Sequence, residues 1–180
     1  MYKNMIKNKQ KGVTLIELMI TLAVAAVLTV VALPDLTAMI QNNRIASQAN
    51  DLIGAMNLAR SEAIKRGVQA NVCAANTTQT ACGNNWSNGW LVYVDQTSTG
   101  AITTLGSLQN TDIILKARPQ LRSGNTLRST DLQISYLSSG FSDAAQAFSL
   151  CDERGNDFGR VISITNTGRA ATARTTNQCP

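Results

Sequence analysis

Two different hydrophobic periods divide the chain. From Val13 to Leu33 run 21 residues whose only charge is Glu17 and whose other polar side chains are Thr14, Thr21 and Thr29. Wound as a helix at about 1.5 Å per residue, this stretch is roughly 31 Å long, matching a bilayer's hydrocarbon core of about 30 Å. Its Val, Leu and Ile residues contribute roughly −4 to −7 kcal/mol on an insertion scale, against about 3 kcal/mol or less for one carboxylate near the helix end. The pattern predicts a transmembrane helix over residues 13–33. Helical periodicity then continues in amphipathic form over 34–67: Ile45, Ala49, Leu52, Met56, Ala59 and Ala63 recur at three- and four-residue spacing, with polar residues largely between them. Lys65 and Arg66 suit a helix C-terminus, and Gly67 suits the left-handed cap. One helix over Val13–Arg66 is expected, with a kink at Pro34, whose ring removes a hydrogen bond.

After Gly67 the period shortens. Val68–Ala74, Trp90–Asp95, Ala101–Leu105, Asp112–Lys116, Leu132–Leu137, Ala147–Cys151, Arg160–Thr165 and Gly168–Arg174 read as strands separated by turn residues. The fold class is α+β: a long N-terminal helix whose amphipathic second half packs against an antiparallel β-sheet head over residues 68–180. Trp86 and Trp90 flank Asn88-Gly89 and read as a hairpin packed onto the core.

Composition narrows the chemistry. The 180 residues contain no histidine, which removes Ser/His/Asp and Cys/His nucleophiles, histidine metal sites and the usual proton shuttle. Neither a catalytic constellation nor a cofactor or metal site is expected. The formal net charge of +5 hints at nucleic acid or an anionic membrane surface. Its placement changes that picture. Lys3, Lys7, Lys9 and Lys11 precede Gly12 with no acid among them, so 16 − 4 basic against 11 acidic residues leaves the remainder at +1. The excess is a cytoplasmic topology signal ahead of an apolar segment.

That outline also suits a secretory signal, but the apolar run is longer than such signals carry, and Leu36-Thr37-Ala38 is a poor small-residue cleavage site. An acid inside a spanning segment is expensive and demands a partner. The residues Lys11-Gly12-Val13-Thr14-Leu15-Ile16-Glu17-Leu18-Met19 resemble the prepilin signature of type IV pilins and type II secretion pseudopilins. The resemblance implies that residues 1–12 are a leader, that a membrane prepilin peptidase cuts after Gly12, and that Val13 becomes an N-methylated terminus. Val13 stands where the family most often has Phe. It also implies a partner for Glu17: the Val13 ammonium of a neighbouring subunit, an ion pair in low dielectric that would set filament register.

A second set of residues narrows the resemblance. Asn57-Leu58-Ala59-Arg60-Ser61-Glu62-Ala63-Ile64-Lys65-Arg66-Gly67, Val72-Cys73, Trp86 to Asp95 and Gly168-Arg169 are similar to the GspH/FimT/FimU group of minor pilins and pseudopilins, which prime or cap filaments. This implies a structural, non-enzymatic subunit of the inner membrane with a periplasmic head, partnered by other pilins or pseudopilins. The resemblance covers both the type IV pilus and the H-type pseudopilin of type II secretion. Some FimT-like pilins are held to bind DNA through a C-terminal Gly-Arg-x-Arg element; Gly168-Arg169-Ala170-Ala171 keeps its first arginine only.

Four cysteines, Cys73, Cys82, Cys151 and Cys179, allow three pairings. Local reading joins Cys73 to Cys82 and Cys151 to Cys179, and the spacings lack the C-x-x-C pairs of a zinc site. Asp152-Glu153-Arg154-Gly155-Asn156-Asp157 reads as a solvated turn, since it lacks the ligand alternation of a calcium loop. Two basic groups remain: Lys116, Arg118, Arg122 and Arg128, and the acid-free set Arg160, Arg169 and Arg174. Both are solvated strand faces, or contacts for the phosphates of weakly bound DNA.

Overall fold

The computed structural model describes residues 12–94, 112–122, 124–174 and 179, the side chains of residues 30–35 excepted. The leader residues 1–11 and the strand expected at Ala101–Leu105 lie outside the described residues. The chain forms two units, Met1–Gln41 and Asn42–Pro180, with helix α1, Leu15–Arg66, contributing to each.

In the first unit α1 opens on a cap. Thr14 Oγ1 accepts from the Glu17 N–H at 3.3 Å, and Thr14 O accepts from the Leu18 N–H at 3.1 Å. Thr14-x-x-Glu17 is the sequence form of a capping box, which satisfies backbone donors that an open helix end leaves orphaned. Helix is assigned through Pro34. The kink expected there falls among residues whose side chains lie outside the described set.

The second unit is organised by the rest of α1. Ile45, Ala49, Leu52, Met56, Ala59 and Ala63 are all buried, joined by Ala55, so the stripe read from the sequence is the face that enters the core. Four of these seven are alanines, which let strands approach the helix closely while Leu52 and Met56 fill the remaining space. The helix stops where Gly67, at φ 70°, donates its N–H to Ala63 O at 2.9 Å. Only a residue without a Cβ takes that left-handed cap at little cost.

Eight strands follow among the described residues: β1 Ala70–Ala74, β2 Trp90–Val94, β3 Ile113–Arg118, β4 Thr126–Ser129, β5 Gln133–Tyr136, β6 Gln146–Cys151, β7 Arg160–Ile164 and β8 Ala170–Arg174. They form two antiparallel four-stranded sheets, ordered β3-β2-β1-β5 and β4-β6-β7-β8. One core joins α1 to Val72, Trp90, Val92 and Ile134 of the first sheet and to Phe148, Leu150, Ile162 and Ile164 of the second.

Two local outcomes differ from the sequence reading. β4 was not expected, because Leu127 is its only large apolar residue; pairing with β6 makes it a strand. Trp86 and Trp90 are both buried, yet they do not face each other across a hairpin. Trp86 opens a 3-10 turn capped by the Asn85 side chain, Oδ1 to Ser87 N–H at 2.9 Å, and packs edge-on to Phe148 at 4.8 Å. Gly89 closes that turn at φ 102°, where an added Cβ would strike the Arg118 carbonyl. The close passage of β3 over Gly89 converts the Asn-Gly pair into the link between turn and strand.

Candidate functional site

The first determinant is the N-terminal surface. Gly12 and Val13 precede the helix and are exposed, Val13 at 72%. Leu15, Ile16, Leu18, Met19, Ile20, Leu22, Val24, Val27 and Leu28 are more than half exposed. At about 3.6 residues per turn the nine together reach every side of the helix. A helix apolar all round is one that other apolar groups enclose. Glu17 is also exposed and has no ion-pair partner among the described residues. No helix among the described residues is long and apolar enough to cross a membrane. The described side chains of the expected span end at Thr29, about 22 Å along a helix starting at Leu15, which is short of a hydrocarbon core.

The arginines divide into two classes that the sequence reading did not separate. Arg60 donates from Nε to Gly140 O at 2.9 Å and from Nη2 to Thr167 O at 3.1 Å. One guanidinium thus ties α1 to the loop after β5 in the first sheet and to the β7–β8 turn in the second. Arg118 is bound to Asp51 Oδ2 at 2.9 Å and lies over the Trp90 ring at 5.3 Å; it is withdrawn from the phosphate-contact set. Arg154 bonds Asp152 Oδ2 at 2.6 Å, reaches Asn42 Oδ1 at 2.9 Å and covers the Phe158 ring at 4.2 Å. Asn125 Nδ2, in the turn before β4, donates to Gln48 Oε1 of α1 at 2.6 Å, a buried amide pair. These residues fasten α1 to the sheets. The signal for Arg60 was present in the sequence: a cation beside the buried positions Met56, Ala59 and Ala63.

Arg160, Arg169 and Arg174 form the second class. Arg160 and Arg174 stand directly opposite each other in the β7–β8 register, an arrangement that costs stability. Arg169 sits at the other end of β8, so the three make a pair and an outlier, not one cluster. None of them has a carboxylate partner among the described residues.

Disulfides join Cys73 to Cys82 and Cys151 to Cys179. The first lies in a small second cluster with Ala75, Leu91 and Tyr93. The second holds the chain end to β6, where the Cys179 N–H also donates to Asn156 Oδ1 at 2.7 Å. In the acidic loop Asp152 is saturated by Arg154, through its backbone N–H and its guanidinium. Among the described residues no group of His, Cys, Asp or Glu could hold a metal ion.

Among the described residues, two groups are shifted from their ordinary values. The hydrogen bond from Arg66, with Lys65 nearby, holds the half-buried Glu62 carboxyl below the usual range. Burial pushes the Tyr136 phenol up to about 12, Asp143 adding to the rise and Arg60 opposing it.

Comparison with known proteins follows from this geometry. A family model described as type II transport protein GspH matches residues 48–168, and one described as prokaryotic N-terminal methylation motif matches residues 7–33. No curated protein matches the chain. Among solved structures, the type IV minor pilin FimU of Pseudomonas aeruginosa is similar at 21% identity and a TM-score of 0.55, over 77% of this chain and 93% of that one. The minor pseudopilin EpsH of the type 2 secretion system of Vibrio cholerae is similar at 13% identity and a TM-score of 0.50, over 75% of this chain and 99% of that one. At these identities the likeness shows the fold, a helix packed on antiparallel sheets.

Proposed function

Starting from a chain that belongs to the GspH family and opens on an N-terminal methylation motif, a structural minor pilin or pseudopilin and not an enzyme, we propose that this protein is a FimU-like minor pilin that primes or caps a type IV pilus. The observation that carries this reading is the opening of α1, apolar on every side and bearing one carboxylate, Glu17, four residues after Val13. Such a surface has no stable place in water. It is held in the inner membrane before assembly, spanning residues 13–33 with the C-terminal unit in the periplasm, and is enclosed by the helices of other pilins afterwards. Prepilin peptidase removes residues 1–12 and methylates Val13. The new ammonium of one subunit then meets Glu17 of its neighbour, and the cost of leaving either charge unpaired in low dielectric selects one register. Glu17→Ala is expected to be processed normally and to drop out of sheared filaments; immunogold labelling equal to that of the unchanged protein would overturn the assignment.

The same parts would serve an H-type pseudopilin in type II secretion. Deletion, with twitching, transformation and exoprotein secretion scored separately, decides between them. Loss of twitching with secretion intact is expected.

A second reading is favoured by the opposed Arg160 and Arg174: weak DNA contact. Neutralising a few phosphates gives salt-sensitive, sequence-independent binding. Gel shifts with the full chain in detergent should weaken with salt and with Arg160→Gln or Arg174→Gln, and less with Arg169→Gln; no shift at low salt ends that reading.

A further inference from the structure

Four strands end the two sheets, and three of them are closed to further pairing. Along β4, the Leu127 N–H donates to Ser87 Oγ at 3.0 Å and Ser87 Oγ donates to Leu127 O at 3.4 Å, so the 3-10 turn occupies its edge. Along β5 the chain returns on itself: the Asp143 N–H donates to Ser135 O at 3.0 Å and Asp143 Oδ1 accepts from the Ser135 N–H at 3.1 Å. β3 is broken by the irregularity opposite Val92 and Tyr93 and carries Lys116 and Arg118. Bulges and charges of this kind blunt an edge.

β8 has neither a bulge nor a covering turn among the described residues, and its one charge, Arg174, stands at its end. In the preceding turn the Thr165 N–H donates to Arg169 O at 3.1 Å and the Gly168 N–H to Thr165 O at 2.8 Å. Antiparallel ladders alternate bonded and unbonded pairs, so Ala171 and Ala173 bond Ser163 and Val161, while the N–H and C=O of Ala170, Thr172 and Arg174 turn outward. Ala170 to Ala173 bring neither charge nor proline, and the last four residues of the strand are exposed. No hydrogen bond to these outward groups is found among the described residues.

We propose that β8 accepts an extended, acidic segment of another polypeptide as a fifth strand of the second sheet. Main-chain bonds to Ala170, Thr172 and Arg174 would supply the pairing, as in β-strand addition generally. Charge selects the occupant. Arg169 stands at one end of the strand and Arg174, beside Arg160, at the other, about 17 Å apart at roughly 3.3 Å per residue. A six-residue strand with a carboxylate at each end, the two on opposite faces, complements both and relieves the opposed arginines. A second copy pairing through its own β8 brings the same arginines and no acid, and a DNA duplex makes no use of strand N–H groups.

The test uses the full-length chain in cells that assemble it, with the photo-crosslinker benzoylphenylalanine in place of Ala171. The expected adduct, after digestion, is an extended acidic segment of a different protein. Thr172→Pro removes an outward N–H without touching the ladder to β7, and should cut adduct yield by about tenfold or more while leaving the melting temperature within about 2 °C. Should Thr172→Pro melt lower, the pair Arg169→Glu and Arg174→Glu provides the same discrimination, since both side chains face solvent. Adducts that persist in these variants, adducts to nucleic acid or to a second copy, or no adduct above that from the crosslinker at Thr77 would each overturn the proposal. It concerns the C-terminal unit alone: adducts without piliation, or piliation without adducts, tell its failure apart from that of the filament reading.

Discussion

Replacing Arg60 with alanine tests the idea that one guanidinium couples α1 to both sheets. The bond to Gly140 O, 2.9 Å and partly buried, is of the charged class worth about 1.5–3 kcal/mol; the bond to Thr167 O, 3.1 Å and exposed, is worth about 0.5 kcal/mol after screening by water. Truncation also leaves the Gly140 carbonyl short of a donor. The expected loss is about 2–3 kcal/mol, or roughly 5–12 °C in melting temperature for a unit of this size. Arg60→Lys keeps the charge, but an ammonium cannot reach both carbonyls from one planar fork, so it should recover about half of the loss. The measurement is guanidinium-induced unfolding of the full chain in detergent, followed by near-ultraviolet circular dichroism, where Trp86 and Trp90 report on the core. A loss below about 0.5 kcal/mol for Arg60→Ala, or full recovery by lysine, would refute the coupling.

Tyr136 supplies a pH prediction. Its folded pKa, about 12, lies above the ordinary value of 10.0, so stability is whole below pH 10 and is lost as pH rises towards 12, when the unfolded chain ionises first. The loss is at most about 2–3 kcal/mol. Unfolding midpoints at pH 8, 10 and 11.5 measure it, and Tyr136→Phe should flatten the slope while costing little at pH 8, because the buried hydroxyl has no hydrogen-bond partner among the described residues. Gly89→Ala forces a side chain into positive φ against the Arg118 carbonyl and should cost about 2 kcal/mol or more, read as a lower denaturation midpoint. Replacing Cys151 and Cys179 together should cost more than replacing Cys73 and Cys82, by loop-entropy figures of about 3.6 and 2.7 kcal/mol; thermal melts of the two double variants check the order.

Much of this molecule was legible because the determining interactions are local. The buried stripe from Ile45 to Ala63 was readable from spacing alone, since a helix repeats its faces every 3.6 residues whatever it later packs against. The end of α1 followed from Lys65, Arg66 and Gly67 for the same reason. Seven of the eight described strands overlap runs marked by alternation. β4 does not, because an edge strand with one large apolar residue has no signal of its own and exists through its ladder to β6. In the N-terminal unit the Thr14-x-x-Glu17 spacing, which is also part of the processing signature, is a local capping pattern of the same kind.

Position along the chain thus determined the apolar opening, its single carboxylate, the amphipathic face and the proximity of cysteines nine and twenty-eight residues apart. Tertiary structure alone decided which charges are used up. Arg60 and Arg118 find partners 67 to 107 residues away, and Arg154 finds Asp152 beside it but Asn42 at a separation of 112. Arg160 of β7 and Arg174 of β8 face each other with no carboxylate partner among the described residues. Sequence spacing fixes neighbours on one helix or one strand, but a side chain's distant partner depends on which strands pair and in which register. That register comes from the whole core, which also leaves β8 as the one open edge among the described strands.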